Sequence, residues 1–119
     1  MTITEIAKRL IELSRKNDFE TAQKELFSDN AVSIEPEASP AFDKETKGLK
    51  AILEKGKKWS AMVEKVNKIH VSEPLIAGNS FAITIQLDVV MKERGPMNIT
   101  EICVYKVKDG KILSESFFM

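Results

Sequence analysis

Cysteine, histidine, tyrosine and tryptophan each occur once in this chain, and each scarcity excludes something. Cys103 alone cannot close an internal disulfide, so nothing requires an oxidising compartment. One cysteine and one histidine are too few to build a structural zinc site, and no metal or cofactor is expected. The five glycines form no phosphate-cradling loop, and there is no GxSxG elbow or internal repeat. No apolar run approaches a membrane span, and the opening MTITEIAKRL lacks the apolar core of a signal peptide, so the expected location is cytoplasmic. Net charge is also missing. The 18 basic and 18 acidic residues cancel, leaving no field that would draw nucleic acid or an anionic membrane. The densest basic runs, KGKK and KVNK, read as a solvated helix face and its continuation.

What is present is an ordinary globular composition. With 43% apolar residues over 119 positions, one domain spanning residues 1–119 can bury about two-thirds of its unfolded surface.

The first half has helical period. Thr2 and Glu5 have capping-box spacing ahead of Ile6, Leu10 and Leu13. Asn17 and Asp18 break that helix and cap a second, FETAQKELF. A short strand over Ala31–Glu35 ends at Pro36, and EASPAFDKETKG reads as a loop. From Gly48, a stripe through Leu49, Ile52, Leu53, Gly56, Trp59, Met62, Val63 and Val66 predicts a strong amphipathic helix. Gly56 on that stripe suggests close approach to another backbone. The period then becomes two, predicting strands near 67–74, 80–92, 98–108 and 111–118. Helices followed by an antiparallel meander imply an α+β fold with helices on one sheet face.

The turns set a trial register. A two-residue turn at Asp109–Gly110 pairs Val104 with Glu115 and Ile102 with Phe117. A turn centred between Arg94 and Gly95 brings Ile85 beside Val104 and Leu87 beside Ile102. One face then collects Phe81, Ile83, Ile85, Leu87, Val89, Ile102, Val104, Leu113 and Phe117 and should meet the helices. Glu115 falls on this face. Either it is a polar group kept in a pocket, or it reaches water at the rim beside a lysine such as Lys106. A slip of one residue in the last turn reverses the face. His70, alternating with Ile69 and Val71, points outward. Asp88 and Glu101 lie opposite each other in this register, as like charges that an interface could neutralise.

The order of these elements, and in particular FSDNAVSIEP, the helix GLKAILEKGKKW and YKVKDGKI, resembles the SnoaL-like branch of the nuclear transport factor 2-like superfamily over essentially the whole chain. The resemblance implies a cystatin-like cone, in which N-terminal helices pack in a strongly curved, largely antiparallel sheet around an apolar pocket. It also implies homodimers formed through the outer sheet face. Relatives of this type include ketosteroid isomerases, polyketide cyclases, dehydratases and non-catalytic binding modules. Set against ketosteroid isomerase, Glu35 before Pro36 takes the place of the catalytic base. The hydrogen-bonding positions near Leu10 and Ile102 carry no donor, and Ile102 also occupies the cyclase acid position.

The expected ligand is therefore a small, mostly apolar molecule. Its pocket is expected to be lined by Trp59, Met62, Ile85, Leu87, Ile102, Val104 and Phe117, with Glu35 and Glu115 as the acid–base candidates. Both glutamates also have plainer readings, as a strand-end acid and a rim acid. The alternative to chemistry is a binding or interaction module. The dimer surface is expected around Gln86, Cys103 and Tyr105, where Tyr105, Cys103 and Phe118 form an amphipathic patch.

Overall fold

The structure is a computed structural model of residues 1–119. Helix α1 (Ile3–Arg15) starts at a reciprocal capping box. The Glu5 N–H donates to the Thr2 hydroxyl at 3.2 Å, and the Thr2 N–H donates to Glu5 Oε1 at 2.9 Å. Helix α2 (Phe19–Leu26) is capped by Asp18, which accepts from the Thr21 N–H at 3.2 Å. Helix α3 (Leu49–Met62) ends before Val63, so Val63 and Val66 belong to the next strand rather than to the helical stripe. Only Ile52 of α3 is fully buried, while Leu49, Leu53 and Trp59 are half-buried. A helix with a full apolar stripe and one buried residue covers unfilled space.

The strands are β1 (Phe27–Ile34), β2 (Glu45–Lys47), β3 (Val63–Val71), β4 (Leu75–Ala77), β5 (Ser80–Met91), β6 (Gly95–Lys108) and β7 (Lys111–Phe118). They form one mixed sheet in the order β2-β1-β7-β6-β5-β3, with β4 pairing β5. The β1–β7 pair is parallel, and the other pairs are antiparallel. The fold is α+β, as expected. The three-residue strands β2 and β4 fall in segments that the sequence pattern assigns to a loop and a turn region, being too short to establish a period. The core joins Ile6, Leu10 and Ile11 of α1 to Phe81, Ile83 and Ile112 of the sheet. No helix is long and apolar enough to cross a membrane.

The register differs from the expected one in two places. Met91 pairs with Gly95, so the β5–β6 hairpin loop is Lys92-Glu93-Arg94, closed by Gly95 at φ 75°. Ile85 therefore pairs with Glu101, not Val104, and Leu87 with Ile99, not Ile102. The displacement is three residues, an odd number, so β6 presents its other face inward. The Asp109–Gly110 turn forms as expected, with Lys108 opposite Lys111. A bulge then makes Val107 pair with Ile112 and Lys106 with Ser114, leaving Leu113 as the extra residue. Beyond it Tyr105 pairs with Glu115 and Cys103 with Phe117.

Ile102 and Val104 consequently point outward, and Ile102 is 48% exposed. Cys103 and Tyr105 point inward and are buried, which removes both from the expected outer-face patch. Asp88 pairs with Asn98, so it does not face Glu101. Gly56 approaches no backbone either: a Cβ there would meet the Gln23 side chain at 3.8 Å, an ordinary contact. His70 is exposed on β3.

Candidate functional site

Between α3 and the inner face of β5, β6 and β7 lies an open cavity of about 670 Å³. The apolar stripe of α3 forms one wall and alternating strand residues form the other. Of the positions expected from sequence, Glu35, Trp59, Ile85, Leu87, Glu115 and Phe117 line it. Met62 is half-buried at the end of α3 and is not part of the lining, and Ile102 and Val104 lie on the opposite side of the sheet. Leu10 is buried in the helix–sheet core.

The polar part of the cavity is built from four elements. Ser33 on β1, Glu115 on β7, Tyr105 on β6 and Phe81 on β5 form one transverse row of paired residues. Tyr105 stacks on Phe81, with ring centroids 4.9 Å apart. One turn of α3 beyond Ile52, Lys55 reaches down toward this row. Its Nζ donates to Ser33 Oγ and to Glu35 Oε2, both at 2.9 Å, and lies 5.3 Å from the centre of the Phe117 ring. Glu35 leaves β1 just past Ile34, and this ion pair holds it against the wall.

Glu101, Cys103 and Tyr105 share the inner face of β6. The Cys103 thiol donates to Glu101 Oε1 at 3.8 Å. Glu101 and Tyr105 both line the cavity.

Burial dominates the electrostatics. Glu115 is 6% exposed, and loss of water pushes its carboxyl up to about 7. Ser33 and Lys55 favour its anion, while Glu35 and Glu101 oppose it. Burial likewise raises Glu101 to about 7, reinforced by Glu35 and offset in part by Cys103 and Lys55. The thiol of Cys103 is pushed up by burial and then by Glu101 and Glu115, so it stays neutral and is no nucleophile. The buried Tyr105 hydroxyl is also held well above its ordinary value, and it remains a donor. The site therefore combines two carboxyls near half-protonation, a fixed Lys55–Glu35 pair and neutral hydroxyl and thiol groups. Such carboxyls can both give and take a proton near neutral pH. No three His, Cys, Asp or Glu side chains come together in a way that could hold a metal ion.

Sequence reasoning missed Lys55, Glu101 and the inward placement of Tyr105 and Cys103. Lys55 follows Ile52 by three and precedes Trp59 by four, which puts it on the buried stripe, but its charge reads as solvated. Finding the β6 residues required the hairpin loop length.

The SnoaL-like domain family model matches residues 1–119, and the chain belongs to that family. A candidate SnoaL-like polyketide cyclase from Mesorhizobium loti is 32% identical, with a TM-score of 0.91 and all of both chains covered. A protein of unknown function with a cystatin-like fold from Xanthomonas campestris is 19% identical at TM-score 0.75, covering 99% of this chain and 90% of that one. A protein with a ketosteroid isomerase-like fold from Catenulispora acidiphila, solved in complex with trimethylamine, is 18% identical at TM-score 0.67. The match covers 99% of this chain and 87% of that one. Among curated proteins none matches.

Proposed function

We propose that this SnoaL-like protein binds a small, mostly apolar molecule beneath α3 and presents the Glu115 carboxyl to its polar end, where a proton is exchanged. The observation that carries this reading is Glu115 itself. It is a carboxyl buried at the wall of an open cavity, beside Ser33 and Tyr105, and raised to about 7. That value suits a general acid or base at neutral pH, and the surrounding Trp59, Ile85, Leu87 and Phe117 suit an apolar body. Tyr105 supplies a neutral donor from β6, a role that neither the Leu10 nor the Ile102 position supplies. Glu35, expected to be the base, is tied to Lys55 at 2.9 Å and acts here as a fixed charge that orients the lysine. The reaction types consistent with such a site are isomerisation, cyclisation and dehydration. Carbon-13 NMR titration of the glutamate side chains tests the reading. A Glu115 midpoint near 7 is expected, whereas a midpoint at the ordinary value of about 4.3 leaves a passive binding module.

A second reading concerns assembly and is favoured by a separate observation. Ile102 and Phe118 pair across β6 and β7 on the outer face and are 48% and 55% exposed. We propose that a second copy of the chain covers this patch, with Gln86 of β5 on the same face. Sedimentation of the unaltered protein at micromolar concentration should give a dimer that Ile102→Asp dissociates. A monomer throughout that range removes the dimer.

A further inference from the structure

We propose that the molecule taken by this cavity carries a cationic nitrogen, an aliphatic ammonium on an apolar body, seated against Glu115 and Glu101 with Trp59, Phe42 and Phe117 around the body. The inference rests on the binding reading above and adds the charge of the ligand.

The charge balance of the wall points this way. Three carboxyls, Glu35, Glu101 and Glu115, share the cavity with one ammonium, Lys55, whose contacts are already taken by Glu35, Ser33 and the Phe117 ring. Glu115 makes no salt bridge, although it is 94% buried by the 6% exposure of its residue. Ser33, its neighbour across the β1–β7 pair, favours its anion, and the carboxyl lines the cavity. The other donors nearby are neutral: the Tyr105 hydroxyl, and the Cys103 thiol, which is engaged with Glu101 at 3.8 Å. Beside Glu115 and Glu101 an anionic ligand would find no free cation, since Lys57 and Lys65 stand at the exposed rim. An ammonium brings up to three N–H donors to groups that, once ionised, only accept. The rim is balanced, with Asp18 and Glu64 against Lys57 and Lys65 and Glu20 paired to Lys24 at 3.1 Å, so the excess of acid lies within the cavity. Trp59 on the lining can stabilise a cation further, whereas the Phe117 and Phe42 rings already lie under Lys55 and Lys58, each 5.3 Å from the ring centre.

The same balance predicts a pH dependence. Burial without a counter-ion holds Glu101 and Glu115 near 7, and a bound ammonium favours their anions, so binding releases protons. Below that value, affinity for a permanently charged amine should fall about tenfold per pH unit for each carboxyl that must ionise. A neutral carbonyl ligand, which needs a protonated carboxyl as donor, shows the opposite slope.

Three probes of one shape separate these cases: 1-adamantylammonium, 2-adamantanone and adamantane-1-carboxylate. Binding is followed by the fluorescence of Trp59, the single tryptophan, and by calorimetry in buffers of different ionisation heat. The ammonium should bind tightest at about pH 8, weaken at least about tenfold by about pH 6, and release a proton on binding at about pH 7. Glu115→Gln and Glu101→Gln should each weaken the ammonium about tenfold or more and leave the ketone unchanged, whereas a merely structural role would move both probes together. If the ketone or the carboxylate is preferred at the higher pH, or the ammonium binds equally at both, the cation assignment is overturned and the pocket stands. If none of the three binds, the pocket reading falls with it.

Discussion

Replacing Glu115 by glutamine should stabilise the protein, and the gain should depend on pH. In the unfolded chain the carboxyl titrates near its ordinary 4.5, while in the fold it titrates at about 7. Below about pH 4.5 it is protonated in both states and burial carries no ionic penalty. As pH rises toward 7, the unfolded carboxylate is favoured by its hydration while the folded one must stay neutral or ionise in an apolar wall. Stability is therefore lost over that window and stays lost above it, the reverse of a salt-bridged acid. A gap of about 2.5 pH units at 1.36 kcal/mol each gives about 3 kcal/mol as an upper value. Glutamine keeps the shape but cannot ionise. At about 4 °C per kcal/mol for a domain of this size, Glu115→Gln should raise Tm by up to about 10 °C at pH 8 and by little at pH 4.5. Thermal unfolding followed by circular dichroism across that range measures both curves. Curves that run parallel, or a variant less stable at pH 8, would refute the claim that Glu115 is desolvated without adequate compensation.

Three further outcomes follow from individual contacts. Lys55→Met removes the donor to Ser33 and Glu35 and the cation that favours ionised Glu115, so the Glu115 midpoint should rise further above 7 in an NMR titration. Ser14 is buried on α1 and its hydroxyl has no hydrogen-bond partner, so Ser14→Ala should stabilise by about 1 kcal/mol in denaturant titration. Cys103 is fully buried with its thiol held protonated, so a thiol reagent such as dithionitrobenzoate should leave the native protein unmodified and label one cysteine after unfolding.

The comparison between sequence and structure turns on what local patterns can carry. Helix starts were legible because they are local chemistry: Thr2 with Glu5, and Asp18 with Thr21, meet within one turn. The inner face of β5 was legible because Phe81, Ile83, Ile85, Leu87 and Val89 alternate cleanly with Thr84, Gln86 and Asp88. Strand β6 offers no such contrast. Glu101, Cys103 and Tyr105 on one face compete with Ile102 and Val104 on the other, so apolar content favours the side that proves to be outer. Its true face is set by the three-residue loop before Gly95, a single parity choice made outside the strand.

Glu115 nevertheless came out facing inward, for a reason the turn alone could not supply. With β6 reversed, an unbroken ladder from the Asp109–Gly110 turn would have placed Glu115 opposite Val104, on the outer face. The bulge at Leu113 shifts the pairing by one, sets Glu115 opposite Tyr105, and restores it to the cavity. Two departures from regularity, one in each hairpin, bring Glu101, Tyr105 and Glu115 onto the same wall. Deleting Leu113 should therefore leave that wall in place. It takes out the residue that has no partner, so Ser114 follows Ile112 directly and still meets Lys106, Glu115 still meets Tyr105, and the ladder becomes regular. The Glu115 midpoint should stay near 7 in an NMR titration of the deletion variant, with Phe117 still opposite Cys103. A midpoint that falls toward 4.5 in the folded deletion variant would mean that residues 114–118 slip by one along β6, so that the pairing beyond the bulge does not fix which face β7 presents.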